Sequence, residues 1–199
     1  RAAELNIDGK LIPEIDFVSQ LGDLKVVNEK FEVVLSSHVI EHQSDLISHF
    51  KCIEDILIES GRYFMVVPDR RFSFDYFLTE SNLAQVLAAH VERREIHVLS
   101  SVIEHRCLTT HNNPYLHLFG MHGKPLRGQS LAKYVDNAVS EYKNKDGYID
   151  VHAWYFTPLS FVDLVNKLFE IGLIKLKVDK FYVTTLGKLE FFVVLRKVS

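Results

Sequence analysis

Cysteine is nearly absent: Cys52 and Cys107 are the only two in 199 residues. That excludes a disulfide scaffold and suggests free thiols in a reducing compartment. No sign of charge dominates, since 23 basic residues face 26 acidic ones, and this excludes a general pull toward nucleic acid or membrane. No apolar run approaches the ~20 residues of a membrane span. No secretory leader is recognisable, so a soluble, cytoplasmic, globular protein is expected. An initiating methionine is also missing. The chain opens at Arg1, with the apolar segment Leu11 to Phe17 soon after, as a domain entered partway through would; natural sequence upstream is expected. What is present suits a folded core, at 47% hydrophobic and 25% charged residues. The length allows one α/β domain, or one domain with a sizeable insertion, but not two large domains.

Hydrophobic patterning gives the order of elements. Ile12 to Val18 is a short apolar run with Asp16 near its end, predicted as a strand. Phe31 to Leu35 (FEVVL) predicts a strand buried on both faces. From Ser44, apolar Leu46, Phe50, Ile53 and Leu57 recur at helical spacing, with Gly61 as the stop signal. Arg62 to Val67 (RYFMVV) predicts a second buried strand, and this strand–helix–strand unit requires parallel pairing. Near the other end, Thr157-Pro158 marks a helix start, with Phe161, Leu164, Val165, Leu168 and Phe169 as its apolar stripe and Gly172 as its stop. Ile174 to Val183 and Leu189 to Leu195, joined by a short turn at Gly187, predict an antiparallel hairpin. The expected architecture is therefore α/β, a mostly parallel sheet ending in an antiparallel hairpin. Residues 1–71 and 151–199 would form the core, and 72–150 a mainly helical cap with helices near Asn82 to Leu99 and Gln129 to Tyr142. An insertion of that length usually covers the ligand side of a sheet.

In an open parallel sheet, ligands bind outside the carboxyl ends of the strands. That rule selects Asp16-Phe17, then Ser36-Ser37-His38 running on to His42, then Pro68-Asp69-Arg70-Arg71. Asp16 has strand capping as its plainer role, the serines have turn formation, and the arginines have simple solvation. His152 and Trp154 lie just before the returning helix and are candidates for a substrate pocket, with a core role as the alternative for Trp154. The insertion's His90, His97, His105, His111, His117 and His122 lack tight ligand spacing and read as structural or surface groups. His38-Val39-Ile40-Glu41-His42 matches the inverted zincin pattern H-x-x-E-H. That chemistry needs the motif within a helix and a third ligand, whereas here it follows a strand in a chain with ten histidines. A zinc hydrolase is therefore the least favoured reading, and no metal ligand set is assigned.

FEVVLSSHVIEH, an amphipathic helix, Gly61 and RYFMVVPDRRFSFD together resemble the second half of a class I S-adenosylmethionine-dependent methyltransferase of the "methyltransferase type 11"-like group. GYIDVHAWYFTPLSF and GKLEFFVVLRK are similar to the ends of such proteins, and an antiparallel last strand is typical of that Rossmann-like fold. The resemblance implies methyl transfer from S-adenosylmethionine to an oxygen or nitrogen nucleophile; the polar, aromatic insertion suits a sugar, a saccharide precursor or a small metabolite as acceptor. By the same resemblance, Asp16 and Phe17 would lie near the adenine. Ser36, Ser37 and His38 would line the methionine part of the cofactor, and Glu41 and His42 match the "EH" that commonly follows. Asp69 would border the acceptor pocket, with Arg70, His152 and Trp154 as further substrate candidates. His38, His42 and His152 are the candidate bases, because an imidazole's ordinary pKa suits that work. No nucleic acid or membrane partner is expected, and a homodimer is left open. The glycine-rich cofactor loop of such enzymes has no counterpart, since no G-x-G occurs before Phe31. The chain as written is expected to bind the cofactor poorly, and a non-catalytic interaction module is the alternative.

Overall fold

The computed structural model describes residues 15–19, 24–125 and 128–199. In chain order the elements are β1 (Phe31–Ser37), α1 (Leu46–Ile56), β2 (Leu57–Pro68), α2 (Leu83–Val91), α3 (Leu99–Leu108), α4 (Pro114–Leu118), α5 (Leu131–Lys143), α6 (Pro158–Glu170), β3 (Leu176–Tyr182) and β4 (Glu190–Lys197). The strands form one sheet in the order β1-β2-β4-β3. Among the described strands β1 and β2 are the parallel pair, and an isolated parallel bridge joins Asp69 to Phe156; β4 is antiparallel to both β2 and β3. This corrects the expectation of mostly parallel pairing. The reversed β4 sits inside the sheet, so every ladder it joins is antiparallel. Since β2 and β3 both oppose β4, strands β1, β2 and β3 all run the same way.

The β1-α1-β2 unit forms as predicted, with shifted edges. Asp45 rather than Ser44 caps α1, its Oδ1 accepting from Ser48 N at 3.0 Å. Asp45 Oδ2 accepts from Ser48 Oγ at 2.6 Å and lies 2.8 Å from His90 Nδ1 on α2. Asp45→Ala is therefore expected to cost about 1–2 kcal/mol in urea denaturation, and Asp45→Asn less, because Asn keeps an oxygen for the cap. Equal losses would show that the cap oxygen does not matter.

Gly61 does not end α1. The helix passes directly into β2, and Phe31 pairs with Leu57 while Val33 pairs with Arg62, so β2 bulges in between. Ser60 takes a φ of 62° there. A Cβ on Gly61 would meet the Ile58 carbonyl oxygen at 2.9 Å and the Glu32 carbonyl oxygen at 3.3 Å. Close backbone approach, not helix termination, is why glycine stands here.

One face of the sheet carries the core. Val34, Tyr63 and Leu195 lie in register on it, beneath α1 and α6. On the opposite face Leu35, Phe64 and Val194 are in register, and Val33 and Leu35 are 55% and 71% exposed. The expectation of burial on both faces is corrected: among the described residues no helix covers that side. The helix at Thr157-Pro158 forms as predicted, with Thr157 and Ser160 in a capping box.

Of the predicted strand at Ile12 to Val18, residues 12–14 lie outside the described residues. Residues 15–19 have no regular secondary structure, and Ile15 and Val18 are exposed. Between β2 and α6 the described residues form four helices, α2 to α5, joined by irregular segments. α3 and α5 share a small cluster of their own around Val102, Ala138, Ile149 and Val151. Among the described residues no helix is long and apolar enough to cross a membrane.

Candidate functional site

β1 ends in a sharp turn: His38 takes a φ of 53°, and its backbone N–H still donates to Val66 O of β2 at 3.0 Å. A single 3-10 turn, Ile40–His42, follows before α1. The segment preceding α6 is sewn onto this turn. Ala153 N–H donates to Glu41 O at 2.7 Å, and the Trp154 indole N–H donates to Gln43 O at 2.6 Å. Strand ends, turn and returning segment thus meet at one place, and His152 arrives there from 110 residues downstream of His42.

The meeting point is rich in histidine. The His42 and His152 rings stand edge-on, with centroids 4.6 Å apart. His152 Nδ1 lies 2.8 Å from Asp75 Oδ2, both side chains buried. His105, on α3, accepts from His152 N–H at Nδ1, at 3.2 Å. Burial and the neighbouring His152 push the His105 pKa down to about 3, and burial with His42 nearby pushes His97 down to about 4. His42 is lowered by the same two causes, burial first and then His152. These rings are neutral at pH 7 and so able to act as acceptors or ligands. Glu41 is wholly buried, and neither carboxylate oxygen has a hydrogen-bond partner. His38 Nδ1 lies 3.4 Å from Glu41 Oε1, and His38 Nε2 lies 3.4 Å from Glu190 Oε1. The Glu41 contact raises the His38 pKa above its ordinary value.

The other sequence candidates are placed differently. Ser36 Oγ lies 2.7 Å from the buried Tyr63 hydroxyl, which lies 3.1 Å from His49 Nε2 on α1. Ser37 is exposed at the strand end, while Asp16 and Phe17 sit in the irregular segment 15–19. Asp69 is buried and saturated: Arg71 donates from N, Nε and Nη2, and Thr184 donates its hydroxyl at 2.6 Å. Arg70 donates to Leu78 O and Tyr76 O, pinning the loop that follows β2. Asp69 and Arg70 thus serve as clasps, and Trp154 belongs to the core cluster.

H-x-x-E-H does not lie on an α-helix, so His38 and His42 are not a pair one helical turn apart. Two groups among the described residues bring three donor atoms within 4.8 Å of one another: Glu41, His42 and His152, and Asp75, His105 and His152. Nothing local marks Asp75, and His97 and His105 read as structural or surface groups, because their partners are tens of residues away. One faint signal existed. SSHVIEH at 36–42 and SSVIEH at 100–105 are similar; a single short match without a period reads as chance, yet the histidines ending both, His42 and His105, flank His152.

Beside this cluster, between α2, α3 and residues 153–155, lies a cleft of about 430 Å³. Ser44, Asn82, Gln85, Arg94, Glu104 and Trp154 are among its lining residues. Glu104 is raised above the usual carboxylate range by burial. No family model matches the chain, and no curated protein matches it.

Proposed function

We propose that the chain belongs to an S-adenosylmethionine-dependent methyltransferase built on a Rossmann-like sheet, acting on an oxygen or nitrogen of a small molecule or saccharide. The observation that carries this reading is strand direction. β1, β2 and β3 run one way and only the last strand, β4, is reversed, in keeping with the antiparallel last strand typical of the fold resembled. The polar cleft supports the acceptor class, because hydroxyl, amide, cationic and carboxyl groups beside an indole suit a hydroxyl-rich ligand.

The described residues fit the cofactor only in part. Ser37 and His38 are open at the end of β1, but Ser36 is turned onto Tyr63, and Asp16 and Phe17 are not on a strand end. No residue group here supplies the carboxypropyl or ribose end of such a site. The chain's own contribution to transfer would be alignment of the acceptor, with His38, 41% exposed at the strand tip, as the group that takes a hydroxyl proton. A non-catalytic interaction module is the second reading, favoured by the uncovered apolar face at Val33, Leu35 and Phe192.

The test is calorimetric titration of S-adenosylhomocysteine into this chain and into any longer natural form that carries it. Weak or no binding by the chain alone is expected, and micromolar binding by a form that adds a glycine-rich loop. If neither binds, methyl transfer fails and the interaction reading stands in its place.

A further inference from the structure

We propose that Glu41, His42 and His152 bind one divalent transition-metal ion, with Asp75 fixing the orientation of His152. The proposal is independent of the methyl-transfer reading. Its first ground is geometric. One donor atom from each of the three residues lies within 4.8 Å of the others. A tetrahedral ion about 2.0–2.1 Å from its donors needs them about 3.3 Å apart, so the side chains must draw in by about 1.5 Å at most.

The second ground is the state of Glu41. Its side chain is sealed from solvent and neither oxygen has a well-formed hydrogen bond; its ion-pair contact among the described residues, His38 Nδ1, is a long one of 3.4 Å to Oε1, which leaves Oε2 with none. A buried carboxylate without hydrogen bonds is costly unless a cation compensates it. His42 Nδ1 is likewise buried without a hydrogen bond, although Asp150 Oδ1 is 3.0 Å away. Buried donor atoms without a good hydrogen bond on two of the three residues are what a metal-shaped gap leaves behind.

The outer partners fit as well. Asp75 Oδ2 at 2.8 Å engages Nδ1 of His152, which leaves Nε2 as the donor, the carboxylate–histidine–metal arrangement. The alternative trio of Asp75, His105 and His152 is less suited, because its members already engage one another. His105 Nδ1 accepts from His152 N–H, and Asp75 Oδ2 is held by His152, although Asp75 Oδ1 is also unpaired. Two imidazoles and one carboxylate favour zinc or a similar transition ion over magnesium or calcium. Three protein ligands leave the fourth position open, as in catalytic rather than structural zinc sites. The His42 side chain is 26% exposed, which provides a way in from solvent.

The experiment is zinc titration by calorimetry into the full chain after chelator treatment, with cobalt absorption as a check on coordination geometry. One ion per chain is expected. Glu41→Gln and His152→Asn should each abolish binding or weaken it at least 100-fold, and Asp75→Asn should weaken it about 10–100-fold. His117→Asn, in a separate histidine group stacked with Tyr76 and His122, should leave binding unchanged. Folding is controlled by metal-free melting. Glu41→Gln keeps the size and shape of the side chain, so the metal-free melting temperature should stay near the parent's, while the rise that zinc gives the parent chain should vanish. Failure of the parent chain to bind zinc overturns the proposal. So does binding that survives Glu41→Gln and His152→Asn, or binding lost in His117→Asn.

Discussion

Phe161→Ala is expected to lower stability by about 3–5 kcal/mol, the usual cost of removing a buried aromatic ring. Phe161 is fully buried on α6. Its ring meets Phe156 at 5.1 Å, Phe191 of β4 at 6.0 Å and Phe50 of α1 at 6.5 Å between centroids. The four rings come from two helices, a strand and the segment returning from the insertion, so no single element can move in to fill the hole. A domain of this kind has about 5–15 kcal/mol in total, and the loss should appear as a lowered urea midpoint at unchanged slope. Leu159→Ala, two residues away but exposed, should change stability by less than about 0.5 kcal/mol. If the two variants lose similar amounts, the ring cluster is not the centre of the core.

Phe161 was legible in the sequence, and the candidate site for the most part was not. The difference is one of range. FEVVL and RYFMVV declare buried strands through β-branched and aromatic residues, and Thr157-Pro158 declares a helix start, because propensity and capping are local physics. Whether a strand is covered on one face or two depends on what packs there, so Val33 and Leu35 read as core and stand in the open. Helix α3 (LSSVIEHRCL) buries Ser101, Val102 and Cys107, a stripe without enough apolar contrast to be seen. Gly61 read as a helix stop because nothing local announces the Glu32 carbonyl beside it. The pairing of Asp75 with His152 spans 77 positions, and only the fold brings them together. His42 and His152 could each be proposed by position, His42 from a strand end and His152 from the segment before α6. Their contact could not.

A second large effect is expected from acid. His49 is buried in α1, and burial lowers its pKa from 6.5 to about 4. Between those values the unfolded chain takes up a proton at this position and the folded chain does not. The unfolded state then binds more protons, so stability falls as pH drops. The loss begins near pH 6.5 and levels off below about pH 4, where folded His49 also titrates. The whole interval is worth about 3 kcal/mol at 1.36 kcal/mol per pH unit. His97 and His105 act in the same sense, with folded values of about 4 and about 3. Glu54 and Glu104, raised by burial, act in the opposite sense at the acid end. A paired comparison isolates His49. His49→Gln cannot titrate, so between pH 7 and pH 4 it should lose about 3 kcal/mol less than the parent chain, whatever offset the lost Tyr63 contact causes at pH 7. Urea denaturation across that range measures the difference, and the His49 ring proton in NMR should titrate near pH 4. Parallel stability curves for the two proteins, or a ring titrating near 6.5, would mean that the packing around Ser36, Tyr63 and His49 admits water.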